Sequence, residues 1–178
     1  AVLTAAFELL REREGPVIRE YPVHIHAEDG EPIACSLPPQ MDPTLHPAVD
    51  EAQALRPAYD RALARSKRSS IGMQISVDEV PDALDKFAKI ASGEPWDSVG
   101  FPTERALEVM YGTVHDIRTY YEELACELAE NPIGPWATEE WFYDQTKAGQ
   151  TILEARRAMR NAKVDNSLWF GLAPAGRE

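Results

Sequence analysis

The sequence has little of what marks several classes of protein. Only two of its 178 residues are cysteines, so we expect no disulfide framework and take a reducing cytoplasm as the location. Its apolar runs are a few residues long, far short of the ~20 residues that a membrane helix needs. No basic segment followed by an apolar stretch resembles a secretory signal. We therefore expect a cytoplasmic protein without a membrane partner.

Basic residues are also scarce. Eighteen Lys and Arg stand against thirty Asp and Glu, which gives a formal charge of −12. A field of that sign repels phosphate backbones, so we expect no nucleic-acid partner. The densest basic cluster lies at the end of a predicted helix, where cations complement the helix dipole: Arg61, Arg65, Lys67 and Arg68. The acidity favours solubility or a basic protein partner.

The familiar signatures of catalysis are missing from the sequence. It contains no Gly-rich phosphate loop, no Gly-x-Ser-x-Gly, no dinucleotide fingerprint, no Cys-x-x-Cys and no His-Glu-x-x-His. Whether the chain is an enzyme is therefore left open, because any chemistry would depend on isolated residues.

Helical periodicity is the dominant pattern that is present. Apolar residues at helical spacing predict helices over about 1–14, 43–66, 76–91, 103–130 and 139–162. Ser76 and Glu79 form a capping box, Asp42 is the expected N-cap of the second helix, and Pro57 should kink or split that helix. Residues 69–75 are predicted to be a short strand or extended link. The fold class is mostly α, an irregular helical bundle.

The apolar stripes of these helices predict a core. We expect Val80, Leu84, Phe87 and Ile90 to line one face of the third helix. The stripe of the fourth comprises Leu107, Met110, Tyr111, Val114, Ile117, Arg118, Tyr121, Leu124, Ala125 and Leu128. The two long helices are joined by a short loop and should lie antiparallel, with Leu124 buried between them.

Several single residues also carry expectations. Arg118 lies on the stripe and should pair with Asp144 or Glu140. Gly149 should let another helix approach closely. Cys126 is expected to be inert packing.

The ends of the chain have a different character. Six prolines and two glycines interrupt about 15–43, which predicts an extended arm over the core of a single domain, 1–178. The tail, about 165–178, contains Leu168, Trp169, Phe170 and Leu172, which is too apolar to be left in water. Its glycines and prolines suggest an irregular wrap, and we expect a partner chain, in a homo- or hetero-oligomer, to cover it.

His24 and His26 are the sharpest candidates for metal binding. Alternate residues of an extended strand point to one face, so both imidazoles can meet one zinc or iron ion. Zinc needs three or four convergent ligands and only two are aligned here. We therefore expect no metal cofactor, and two ordinary histidines on an exposed arm.

Cys35 is the candidate nucleophile. An imidazole such as that of His46 would lower the pKa of its thiol and activate it. The alternative is a small residue buried beneath the arm, which is the more common situation for a free cysteine.

Three segments resemble the helical C-terminal portion of bacterial proteins related to component B of glycine, sarcosine and betaine reductase: "LRPAYDRALARSKRSSIGM", "HDIRTYYEELACELAENP" and "WFYDQTKAGQTILEARRAMR". The arm segment "EYPVHIHAEDGEPIAC" resembles the acidic, proline-containing stretch before those helices. In that family a selenocysteine or cysteine in a separate α/β portion carries the reductive chemistry. Nothing in this chain matches that portion, so the resemblance implies no catalytic residue here.

Two functional hypotheses follow. The favoured one is an interaction subunit of a multicomponent, reductase-like enzyme, with the arm and tail as docking surfaces and part of an active site shared between chains. The alternative is a stand-alone enzyme that uses Cys35 with His24, His26 or His46, as a metal site or as a thiolate–imidazole pair.

Overall fold

Helices form the whole regular structure of the part of the chain that the computed structural model describes, which is residues 2–13, 33, 36–129, 133–134 and 136–177. The α-helices are α1 (Val2–Leu9), α2 (Pro47–Ser66), α3 (Val80–Ala91), α4 (Ala106–Leu128), α5 (Ala137–Gln145), α6 (Lys147–Asn161) and α7 (Asn166–Phe170), with a 3₁₀ turn at Val77–Glu79. The mostly α fold class is therefore confirmed. No helix in those ranges has the length and apolarity that crossing a bilayer requires.

The start of α2 differs from the prediction. His46 is the N-cap, and its Nδ1 accepts the N–H of Ala48 at 3.3 Å. Asp42 instead closes the preceding turn by accepting the N–H and hydroxyl of Thr44. Pro57 lies inside one continuous helix, so the predicted split is wrong.

The Ser76–Glu79 capping box is confirmed, because the Glu79 carboxylate accepts the N–H of Ser76 at 2.8 Å. The link before it contains no strand and bends at residues 73–74.

The predicted last long helix is two helices. Thr146 is extended and caps α6, because its Oγ1 accepts the N–H of Gly149 at 3.0 Å and donates to the carbonyl of Phe142 at 2.6 Å. A Cβ on Gly149 would lie 2.1 Å from that same carbonyl oxygen. Gly149 therefore allows close approach, as predicted, and the approaching element is the end of α5.

The core lies where α2, α3, α4 and α6 meet. α3 packs most extensively against α6, whereas α4 packs mainly against α2 and α5, so the predicted hairpin of the long helices is not the main contact. The stripe of α3 is buried as predicted, and Leu124 is completely buried. The largest fully buried side chains are aromatic: Trp141, Tyr59, Tyr120, Tyr121, Tyr143, Phe87 and Phe142.

The described end of the arm lies on this core, with Ile33 buried and Leu37 partly buried against it. The Asp50 carboxylate accepts the N–H groups of Met41 at 2.7 Å and Asp42 at 2.9 Å. These bonds fix the entry into α2.

The tail docks on this chain's own bundle. α7 packs against α4 and α6, Leu172 is buried, and the indole N–H of Trp169 donates to the Val164 carbonyl at 3.1 Å. Arg177 pairs with Asp144 at 2.7 Å. The expectation of an irregular wrap is therefore corrected, whereas a partner chain over the exposed part of the tail stays a prediction. A short helix forms because Asp165 caps it, and the bundle supplies the groove.

Candidate docking surface

The predicted site residues are not brought together in the described part of the chain. His24, His26 and Cys35 lie outside it, so the metal and nucleophile hypotheses stay predictions. His46 lies within it and uses its Nδ1 to cap α2. Among the described residues no group of three or more His, Cys, Asp or Glu is arranged to hold a metal ion.

Arg118 binds carboxylates other than the two expected. Its guanidinium lies 3.1 Å from Glu122 on its own helix and 3.8 Å from Glu139 on α5. Asp144 is engaged by Arg177 instead. Arg118 and Arg177 both lie over the ring of Tyr143, at 5.9 and 5.2 Å from its centroid. This network joins α4, α5 and the tail, and it is structural.

Cys126 is exposed, which corrects its prediction as packing. It lines a pocket of about 280 Å³ with Arg65, Arg68, Glu123 and Glu127 among its walls. Glu123 is occupied by structural bonds, because it accepts the Tyr59 hydroxyl at 2.8 Å and the Ser70 N–H at 2.7 Å. Arg65 pairs with Glu127. The basic cluster at the end of α2 is therefore partly neutralised by α4.

Asp116 is a completely buried carboxylate with no cation within hydrogen-bond distance. It accepts four consecutive backbone N–H groups, from Gly72 and Met73 at 3.0 Å, Gln74 at 2.6 Å and Ile75 at 2.8 Å. Burial by itself raises the pKa of Asp116, but the four hydrogen bonds outweigh it and the net pKa is lowered. This carboxylate orders the link before α3.

Glu51 is buried in α2 at the N-terminus of α6. Its Oε1 accepts the Tyr121 hydroxyl at 3.0 Å and the N–H groups of Lys147 at 2.9 Å and Ala148 at 3.3 Å. Desolvation raises the pKa of Glu51, and these hydrogen bonds offset the rise only in part. The negative charge complements the helix dipole of α6, which again is a structural role.

The apolar surface of α1 has no such structural use. Leu3, Phe7 and Leu10 are 73%, 65% and 80% exposed, and we call these three residues the α1 stripe. Helical winding continues to Leu10, whose N–H donates to the Phe7 carbonyl at 3.2 Å. Among the described helices none packs extensively against α1. The spacing of four and three residues places the stripe on one side of the helix, the pattern by which helices dock in apolar grooves.

A second apolar surface lies where α4 meets α7. Leu107 and Tyr111 are both 48% exposed and one helical turn apart, although the sequence placed them in the buried stripe. Gly171 lies directly against the Tyr111 ring, and a Cβ there would be 3.3 Å from its Cδ2. Phe170 is 56% exposed beside it. We call Leu107, Tyr111 and Phe170 the α4–α7 face.

Comparison with known proteins returned nothing: no family model, no curated protein and no solved structure matches the chain. The resemblance to component B of the reductases therefore stays a prediction.

Sequence reasoning missed both surfaces, for different reasons. For the first helix, periodicity predicts an apolar stripe of Val2, Ala5, Ala6, Leu9 and Leu10, but Leu10 is 80% exposed just after the end of α1. The alternative set, Leu3 and Phe7 with Leu10, has an equally good helical spacing and could have been found. The exposure of Leu107 and Tyr111 depends on how the other elements pack against α4, which no local sequence pattern reveals.

Proposed function

We propose that this protein is an interaction subunit that associates with another polypeptide through the α1 stripe. The observation that carries the proposal is the exposure of three large apolar side chains on one side of a helix that the rest of the described bundle leaves uncovered. Fully burying a Leu or Phe side chain stabilises a complex by about 1.5–3 kcal/mol. The stripe therefore offers enough free energy to hold a partner after the cost of association.

The charges around the stripe support a protein partner. The first seven residues of the chain carry no ionisable side chain, and Glu8 and Arg11 follow with opposite signs. Such a helix is apolar on one side and locally neutral, which suits a hydrophobic groove. It lacks the basic polar face typical of helices that lie on membrane surfaces.

The resemblance suggests which kind of assembly this would be. It would make the chain a subunit of a multicomponent bacterial enzyme related to the glycine, sarcosine and betaine reductases, in which the reductive centre belongs to another component. The chain would then contribute docking surfaces to an active site shared between subunits.

A binding comparison tests the proposal. The full chain, a Phe7→Glu variant and a Thr4→Glu control are immobilised separately and exposed to an extract of the source cells. Thr4 is exposed on the same helix outside the stripe, so its variant adds the same charge without changing the apolar surface. We expect the wild-type chain and the control to retain one polypeptide in stoichiometric amount, and Phe7→Glu to lose it. Equal retention by all three chains, or by none, would contradict the proposal.

A further inference from the structure

The α1 stripe and the α4–α7 face are two uncovered apolar surfaces on the same chain. Each has three large side chains between 48% and 80% exposed. Contiguous exposed apolar patches on a soluble protein mark interaction sites. Since both surfaces are exposed together in this structure, α1 does not cover the face of its own chain.

Both surfaces are short and present three large side chains each. The stripe extends over eight residues, and seven rises of 1.5 Å make it about 10 Å long. Leu107 and Tyr111 lie one turn apart on α4, and Phe170 extends the face beyond Gly171. Gly171 packs against one side of the Tyr111 ring, and the ring is still 48% exposed to a docking helix.

Local charge also favours this pairing over a basic partner. Arg105 and Glu108, which flank Leu107, form an ion pair with each other. Arg156 lies 5.8 Å from the ring centroids of both Trp169 and Phe170 at the other edge of the face. Arg156 therefore puts a positive charge at this edge, and the Arg105–Glu108 pair puts no net charge beside Leu107, although the whole chain carries −12. A positive edge favours the locally neutral start of α1 over a basic partner.

We propose that α1 of one copy docks on the α4–α7 face of a second copy, and that the second copy's α1 docks reciprocally on the first. This inference rests on the proposed function and names its partner as a second copy of this chain. The symmetric arrangement covers both apolar surfaces of both chains.

The area that docking would bury favours reciprocal exchange. At roughly 100 Å² for each half-exposed large side chain, one docked helix covers about 600 Å² counted on both partners. That is below the ~1,200 Å² at which stable interfaces begin. Two symmetric docking events reach about 1,200 Å², so the reciprocal dimer has the area of a stable interface, whereas a single docking event holds two chains together only weakly.

Covalent geometry permits the exchange. Nineteen residues lie between Arg13, at the end of the α1 segment, and Ile33 on the core. A chain of that length spans up to about 65 Å, which is enough to reach a neighbouring copy.

Sedimentation of the purified full chain tests the proposal. We expect a dimer whose dissociation constant rises at least about 100-fold in Phe7→Glu and in Leu107→Glu, because each variant spoils both docking contacts. Phe170→Glu is a second variant of the face, in case Leu107→Glu does not fold. Thr4→Glu should leave the dimer intact.

Mixing the two variants is the decisive step. The α1 of the Leu107→Glu chain and the face of the Phe7→Glu chain are both intact, so a mixed dimer regains one of the two contacts. We expect the mixture to form dimers that neither variant forms alone, detected by native mass spectrometry. We also expect the wild-type dimer to tighten as salt increases, because two chains of −12 repel each other at low ionic strength.

Other results would overturn the proposal. A wild-type monomer at about 100 µM, far above the dissociation constants of stable complexes, would mean that the occupant is not a second copy. A dimer that the variants do not weaken would use another surface. If the two variants never form a mixed dimer, the interface would instead pair α1 with α1 or the α4–α7 face with itself. If the wild-type chain is monomeric but retains a different polypeptide from the extract, and Phe7→Glu abolishes that retention, only this inference fails. If Phe7→Glu changes neither the dimerisation of the chain nor its retention of a polypeptide from the extract, the proposed function fails as well.

Discussion

Replacing Asp116 with Asn perturbs the contact that orders the link between α2 and α3. Oδ1 accepts two backbone N–H groups, from Gly72 and Met73, and Oδ2 accepts two more, from Gln74 and Ile75. Asparagine keeps one oxygen and replaces the other with an NH₂ donor. Two N–H groups would then face a donor in a site that is completely buried.

The expected cost follows from those two orphaned groups. A buried donor without an acceptor costs about 1–3 kcal/mol, so Asp116→Asn should lower the free energy of unfolding by roughly 2–6 kcal/mol. That is a large share of the ~5–15 kcal/mol typical of a domain. Urea denaturation followed by circular dichroism measures it. Asp85→Asn is the matched control, since Asp85 forms an exposed pair with Lys89 and should have a far smaller effect.

The pH dependence provides a second readout of the same contact. The folded pKa of Asp116 is lowered below its unfolded value near ~3.9, so its ionised form stabilises the fold fully above that pH. This stabilisation is lost as the pH falls through the folded pKa. The stability difference between wild type and Asp116→Asn should therefore narrow below about pH 4. A difference under ~0.5 kcal/mol at neutral pH, the range of ordinary surface changes, would refute the reasoning.

Three further substitutions test the core, each by urea denaturation. Gly149→Ala should destabilise by more than about 1 kcal/mol, because its Cβ would lie 2.1 Å from the Phe142 carbonyl oxygen; a gain in stability, as in an open helix, would contradict this. Leu124→Ala should cost roughly 2–5 kcal/mol, and a cost under ~0.5 kcal/mol would mean that its burial is wrong. Burial raises the pKa of Glu51, so its contribution is greatest below about pH 4.3 and declines as the pH rises through the folded pKa. Glu51→Gln keeps the Oε1 acceptor and should flatten that decline; an unchanged slope would exclude Glu51 as its source.

The parts of the fold that depend only on residues close together in the sequence were predictable. The capping box of Ser76 and Glu79 and the apolar stripe of α3 are both local patterns, and both are confirmed. The break at Thr146 was missed because no Gly or Pro interrupts Gln145–Lys147. The sequence signal for this break is weaker than a Gly or Pro would be. It is a threonine whose hydroxyl caps the N–H of Gly149, three residues later.

The parts of the fold that depend on which helix packs over which surface were not predictable from the sequence. Periodicity places Leu107 and Tyr111 on the apolar side of α4, but which parts of that side are covered depends on how the other helices pack against it, and both residues are 48% exposed. Arg118 was expected to bind the next helix, yet a carboxylate one turn along its own helix is as close as any other. For the same reason the α1 stripe was recognisable as a pattern, whereas its lack of cover was not.

The acidic surplus of the sequence has a structural component that composition hides. Three carboxylates, Asp50, Glu51 and Asp116, are buried, and their hydrogen-bond partners are backbone N–H groups of distant segments together with one tyrosine hydroxyl. Asp50 and Asp116 hold stretches without regular structure, at residues 41–42 and 72–75, and Glu51 holds the start of α6. A backbone N–H adds no positive charge to the count, so each of these three carboxylates leaves a net charge of −1 that its hydrogen-bond partners do not balance. Part of the −12 is therefore a consequence of how the bundle fastens its links, and it says correspondingly less about the charge of a partner.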